Sequence, residues 1–242
     1  MSAGRAPDSV LFLLAHHDDE VFCAGRLARA RRQGQRIRVL WATAGGFAPA
    51  SRRQREGVAV ARLLGLAASE HVSLGLADQG AMDHLPEIAT ALRGMLQGVA
   101  SVCVPAYEGG HPDHDAVNLV AARVCAGGPP VDEFSLYCRQ GRSVAVKRLF
   151  AAEPGPPERF LLDPPALHLR RALIRANASQ LPELAALGGL AAVQGRWKME
   201  PVRRLPERDY ERPPGGKRPL YEVYTRRHFE EFRAAAGAFS AD

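Results

Sequence analysis

The sequence predicts an α/β fold, a Rossmann-like three-layer arrangement with a mostly parallel sheet and an elaborated C-terminal third. Two observations predict it. Apolar runs that read as buried strands alternate with helical patterns through the first 125 residues, and such alternation implies right-handed βαβ units around a parallel sheet covered on both faces. Two clusters of His and Asp also sit just beyond strand ends, at 15–20 and 110–114, where α/β sheets bind their ligands.

The elements follow in order. Val10–Ala15 is the first strand, and a helix from about Glu20 to Gln33 stops at Gly34. Ile37–Ala42 is the second strand. Arg52–Leu64 is the second helix, with Val58, Val60, Ala61 and Leu64 inward and Gly65 as its stop. His71–Leu74 is a short strand, Leu85–Leu96 a helix, Val102–Pro105 a strand and Asp115–Cys125 a helix. After Gly127-Gly128-Pro129-Pro130 the pattern loosens. Phe134–Cys138, Val144–Leu149 and Arg159–Leu162 read as strands, and Ala166–Ala186 as one long helix. Trp197–Pro219 reads as loop, Tyr221–Tyr224 as an edge strand and His228–Ala236 as a closing helix. No repeat and no clean boundary interrupt this, so residues 1–242 are taken as one domain. Its core is about 8–126 and its substrate-pocket elaboration about 131–242.

Composition is that of a globular protein: 46% hydrophobic and 24% charged residues. No run approaches the ~18 apolar residues of a membrane span. Val10–Ala15 is too short for a secretory core. The four cysteines are scattered, as expected of reduced thiols in a cytoplasmic protein. Net charge is +6, and Val21–Arg55 holds nine arginines and no acid. These fall on what reads as a solvated helix face, including Arg26, Arg29 and Arg36, without interleaved aromatics. The expectation is therefore no nucleic acid and no membrane as partner, with self-association into a homo-oligomer left open.

The chemistry is carried by Ala15-His16-His17-Asp18-Asp19-Glu20 and Gly110-His111-Pro112-Asp113-His114. Together they hold four of the eight histidines and three aspartates. Imidazole plus carboxylate at two strand ends suits a hydrolytic zinc site, where three protein ligands leave a fourth position for a water whose pKa falls to about 7. Consecutive residues of a turn project differently, so Asp18 and Asp19 do not easily ligate one ion together. Glu20 suits the first turn of the following helix.

The first cluster resembles the Ala-His-Pro-Asp-Asp-Glu signature of the PIG-L/LmbE-like deacetylases, zinc enzymes acting on N-acetylglucosamine conjugates. The second resembles the same family's other hallmark, and the order continues through Arg53-Gln54-Arg55-Glu56, Leu63-Leu64-Gly65, Gly75-Leu76-Ala77-Asp78-Gln79-Gly80 and Ser179-Gln180. The resemblance is good from Val10 to about Val120 and weak in the C-terminal half. It implies that His16, Asp19 and His114 hold Zn²⁺, a set that Fe²⁺ could also use. It further implies Asp18 as general base, His111 as a protonated donor to the oxyanion and Asp113 as the partner orienting an imidazole. Arg53 and Asp78 become candidates for sugar recognition, with an Arg53–Glu56 pair along the helix as the alternative for Arg53. Two departures matter. His17 replaces the family proline and is expected to point away or to touch substrate. Gly109 stands where some relatives carry a tyrosine, with Tyr107 or Glu108 as nearby substitutes.

The implied function is a zinc-dependent hydrolase that removes an N-acetyl or N-acyl group from a small-molecule amino-sugar conjugate, in secondary-metabolite, thiol or cell-wall biosynthesis. The alternative is a metal-dependent hydratase of an unsaturated acid on the same scaffold. A non-catalytic binding module is a third, and the joint presence of His16, Asp18, Asp19, His111 and His114 argues against it.

Overall fold

The computed structural model of the chain describes residues 9–46, 48–148 and 157–241. Strand β1 (Ser9–Leu14) is buried along its whole length, with Val10, Phe12 and Leu14 in one apolar cluster and Leu11, Leu13 and Ala15 in the other. The period of two that separates these sets makes β1 the middle of three layers. After a 3₁₀ turn (Asp19–Val21) come α1 (Ala24–Arg32), β2 (Arg36–Thr43), α2 (Ala50–Leu63), β3 (His71–Leu76), α3 (Leu85–Met95), β4 (Val99–Pro105) and α4 (Pro112–Val124). The C-terminal half supplies β5 (Val131–Phe134), β6 (Tyr137–Gln140), β7 (Ser143–Val146), β8 (Glu158–Leu161), α5 (Pro164–Ala176), α6 (Leu181–Val193), β9 (Met199–Arg204), α7 (Tyr221–Tyr224) and α8 (Phe229–Ala238).

The main sheet runs β3-β2-β1-β4-β5-β9-β8. Its first five strands are parallel and its last two are antiparallel to their neighbours. Helices α1, α2 and α5 pack on one face, and α3, α4 and α8 on the other. Strand order reverses between β1 and β4, so a crevice opens beyond their carboxyl ends, and both His/Asp clusters lie there.

The expected fold class is what the chain adopts, but several elements differ. The helix expected from Glu20 begins only at Ala24, after the 3₁₀ turn. Val58 is exposed, whereas Val60, Ala61 and Leu64 are buried. The long helix Ala166–Ala186 is two helices. Asn177 and a 3₁₀ turn (Ala178–Gln180) separate them, and Pro182, which has no N–H to donate, sits in the first turn of α6. Phe134–Cys138 is divided between β5 and β6, and β6 pairs with β7 as a separate hairpin outside the main sheet. The expected strand end at Leu149 lies outside the described residues. Trp197–Pro219 is not all loop, because β9 lies between β5 and β8. Tyr221–Tyr224 is a helical turn closed by Thr225 N–H on Tyr221 O, not an edge strand.

The arginines of the basic stretch pair with carboxylates: Arg26 with Asp132, Arg32 with Asp163 and Arg36 with Glu70. All four cysteines are buried and unbridged. No helix among the described residues is long and apolar enough to cross a membrane.

Candidate functional site

The turn after β1 presents His16, Asp18 and Asp19; the loop after β4 ends at His111, which caps α4 and puts His114 in that helix's first turn. Asp19 is pinned by its own turn, since Oδ2 accepts the Ala15 and His16 N–H groups at 2.8 and 3.0 Å. Its free Oδ1 lies 3.1 Å from His114 Nε2 and 3.7 Å from His16 Nδ1. Two donors bound about 2.0–2.2 Å from a tetrahedral ion are themselves about 3.3–3.6 Å apart. One donor atom from each of His16, Asp19 and His114 lies within 4.8 Å of the others. This donor set and spacing fit a divalent ion.

Behind His16, Nε2 faces Asp113 Oδ2 at 3.2 Å and Asp78 Oδ1 at 3.4 Å. The Asp113 carboxylate is itself fixed by the Gln79 and Ala81 N–H groups at 2.8 and 2.9 Å. A proton held on Nε2 by Asp113 leaves Nδ1 with its lone pair toward Asp19, the arrangement that orients a metal-binding imidazole. Burial disfavours charge on His16, but hydrogen bonds to Asp113, Asp19 and Asp78 outweigh it and hold its pKa well above the usual value. The electrostatic field at this point favours positive charge.

His111 differs. Burial and the neighbouring His16 push its pKa down to about 3, so the ring is neutral across the working range. The protonated His111 expected from the sequence is corrected accordingly. Its Nδ1 accepts the Asp113 N–H at 3.3 Å, which puts the ring proton on Nε2, and Nε2 faces Asp78 Oδ1 at 3.7 Å. Asp18 is raised to about 7 by burial and by the adjacent Asp19 charge, and it lines the same pocket.

That pocket encloses about 640 Å³, mid-range for small-molecule sites. It brings together His16, Asp18, Asp19, Asp78, His111 and His114, with Asp113 directly behind His16. It does not include Arg53 or His17. Arg53 is fully buried, bonded through Nη1 to Glu56 at 2.7 Å, through Nε to the Ala44 carbonyl at 3.0 Å and through Nη2 to the His17 carbonyl. It stands behind Asp18, 3.5 Å from Oδ1, so the Arg53–Glu56 pair describes it better than sugar contact. His17 turns away, with Nδ1 on the Arg53 carbonyl, Nε2 on Ser73 Oγ and its ring edge-on to Trp41. Glu20, expected on a helix turn, is buried and accepts the Trp41 indole N–H; burial raises its pKa to about 8. Neither proposed tyrosine substitute reaches the pocket: Tyr107 Oη donates to the Arg212 carbonyl, and Glu108 accepts from Ser135 and Leu136.

Sequence reasoning missed Tyr137, Tyr224 and Glu183, which line the pocket beside Gln180 of the Ser179-Gln180 element. Tyr224 lies 6.4 Å from His111 between ring centroids and Tyr137 lies 5.9 Å from His114. No motif marks the tyrosines. Glu183 left a signal: it is the one charged residue in the otherwise apolar Leu181–Val193 segment.

The family model described as PIG-L, GlcNAc-PI de-N-acetylase, matches residues 11–125. The matched stretch holds both His/Asp clusters and runs from β1 through α4. A comparison with curated protein sequences yields no match. Among solved structures, the chain is similar to a deacetylase of teicoplanin biosynthesis in complex with teicoplanin, at 16% identity and a TM-score of 0.62 over 81% of this chain and 97% of that one. It is also similar to N,N'-diacetylchitobiose deacetylase from Pyrococcus horikoshii, at 18% identity and 0.57 over 82% and 84%. A conserved protein from Thermus thermophilus is 24% identical, at 0.58 over 83% and 96%. These likenesses show a shared fold along most of the chain.

Arg53 carries the first expected result. Breaking a buried ion pair by removing one partner costs about 3–5 kcal/mol. Arg53→Met leaves Glu56 with Ser179 and the exposed Arg52, 3.5 Å away, as its partners, and it should lower the denaturation midpoint toward the lower end of that range. A midpoint within about 0.5 kcal/mol of the parent would return Arg53 to the list of substrate contacts.

Proposed function

We propose that this protein is a metal-dependent hydrolase that removes an N-acyl group from an amino sugar or amino-sugar conjugate, with Zn²⁺ as the resident ion. The observation that carries the reading is the convergence of His16, Asp19 and His114 on one point of the pocket beside Asp18 and His111. A divalent ion held there would supply a water of lowered pKa and polarise the scissile carbonyl. Asp18 takes a proton from the attacking water, and that proton is the one the departing amine needs. His111 donates its Nε2–H to the carbonyl oxygen as charge develops. Asp113 keeps His16 in the tautomer that faces Asp19, and Asp78, Gln79 and Gln180 offer acceptors and donors to sugar hydroxyls.

Acetate release from a panel of N-acetylglucosaminides, with zinc added or stripped, tests the reading. Zinc-dependent release supports it; hydration of an unsaturated acid without acetate release contradicts it.

The pH dependence has a defined sign. A general base works ionised, so kcat/KM should rise as Asp18 loses its proton. Burial and Asp19 place that midpoint near 7, and a bound dication moves it lower. His111 is already neutral there. His111→Ala should therefore lower the rate about 10²-fold or more without removing a limb of the profile. A basic limb that vanishes in this variant would restore the protonated donor.

A further inference from the structure

The pocket has two unlike walls. Asp78, Gln79, Gln180 and the Gly45-Gly46 backbone line it on the side of β2, β3 and the turn before α6. The other wall is mostly apolar, formed by Phe22, Leu136, Val144, Leu184, Leu187 and Leu220, with Glu183 at the N-terminal turn of α6 as its charged member. That wall does not end at the pocket. Phe22, Leu184 and Leu187 also bound a narrow cavity of about 20 Å³ that reaches Ile174, Gly188 and Trp197 beneath α6, where Lys147 and Arg170 also line it, both bonded to the Trp197 carbonyl. Ile174, Leu184, Gly188 and Trp197 in turn bound an open groove of about 330 Å³ along α6. At Gly188 a Cβ would lie 2.8 Å from Trp197 Cζ3, so the indole packs directly against the helix backbone there.

A scissile amide carries two substituents, a hydroxyl-bearing ring and an acyl group. Sugar hydroxyls against the apolar wall would lose water without replacement hydrogen bonds. An alkyl chain there is favoured by burial. Resting on the deacylase reading, we infer that the natural acyl group is a medium-length aliphatic chain, seated along Phe22, Val144, Leu184 and Leu187 and directed toward the groove under α6. The reaction breaks the amide C–N bond and joins the water oxygen to the acyl carbon. It releases a fatty carboxylate and the free amine, which takes up the proton.

The test uses the metal-loaded enzyme on glucosamine N-acylated with acetyl, butyryl, hexanoyl or octanoyl, and on octyl N-acetylglucosaminide, which carries its chain on the opposite side of the amide. kcat/KM should rise about 10²-fold or more from acetyl to octanoyl, because each methylene buried is favourable. Leu187→Trp, which fills the constriction, should cut the octanoyl-to-acetyl ratio tenfold or more. Octanoate binding, read by calorimetry and weakened tenfold or more in Leu187→Trp, tests the wall without turnover; acetate should bind no more weakly in that variant, and equal octanoate binding by both proteins overturns the inference. Acetyl turnover with a flat or falling chain series overturns the inference and leaves the deacylase reading standing. Preference for the octyl glycoside over N-octanoylglucosamine overturns it too. Turnover of none of the N-acyl sugars overturns both.

Discussion

His114→Ala is expected to lose the bound metal and, with it, about 10³-fold or more in turnover. His114 sits in the first turn of α4 with Nε2 3.1 Å from Asp19 Oδ1, so its imidazole is one of three donors that converge there. Alanine is the best helix former, and α4 is otherwise buried and well packed, so the fold should survive. Removing the ion removes several kcal/mol of charge stabilisation at the reacting carbonyl, and each 1.36 kcal/mol is tenfold in rate. Elemental analysis and activity on the same folded sample check this. Full metal retention in His114→Ala would show that the ligand set is wrong.

Asp18→Asn should fold and keep its metal while losing about 10²–10⁴ in kcat, the usual cost of deleting a general base. Asparagine is nearly isosteric with aspartate but takes no proton from water. Metal retention is expected because Asp19, not Asp18, points its free oxygen between His16 and His114. Near-parental kcat would exclude Asp18 as the base and turn attention to Glu183. That carboxylate faces the same histidines, and burial raises its pKa.

The parallel half of the sheet was legible because β1 and β4 are apolar apart from Ser9 and Ser101, and because His16 and His111 follow them at ligand-binding ends. Strand β9 was hidden by its own residues. Glu200 and Arg203 look like surface charges and Pro201 like a breaker, yet both charges are buried and paired. Glu200 accepts the Gly25 and Arg26 N–H groups at the start of α1, and Arg203 meets Glu133 at 2.6 Å. Partners so far away along the chain cannot be seen in local pattern. The same reason hid the pocket tyrosines, since Tyr137 and Tyr224 reach the site only through the hairpin β6–β7 and the turn α7. For Arg53 local sequence leaves sugar contact and the Glu56 pair open, and the pair is what forms, together with two backbone carbonyls behind Asp18. His111 was read as charged because only burial and the His16 charge, both tertiary, keep it neutral.

Everything proposed for this pocket depends on one metal ion, held by His16, Asp19 and His114, supporting amide hydrolysis. The decisive experiment titrates metal-stripped protein with Zn²⁺ while following acetate release from an N-acetylglucosaminide. Release should be nil without metal, rise linearly on addition and level off at one equivalent per chain. Undiminished release from stripped protein, or no release at any zinc level from the N-acetyl and N-octanoyl sugars alike, would refute the metal-dependent hydrolase.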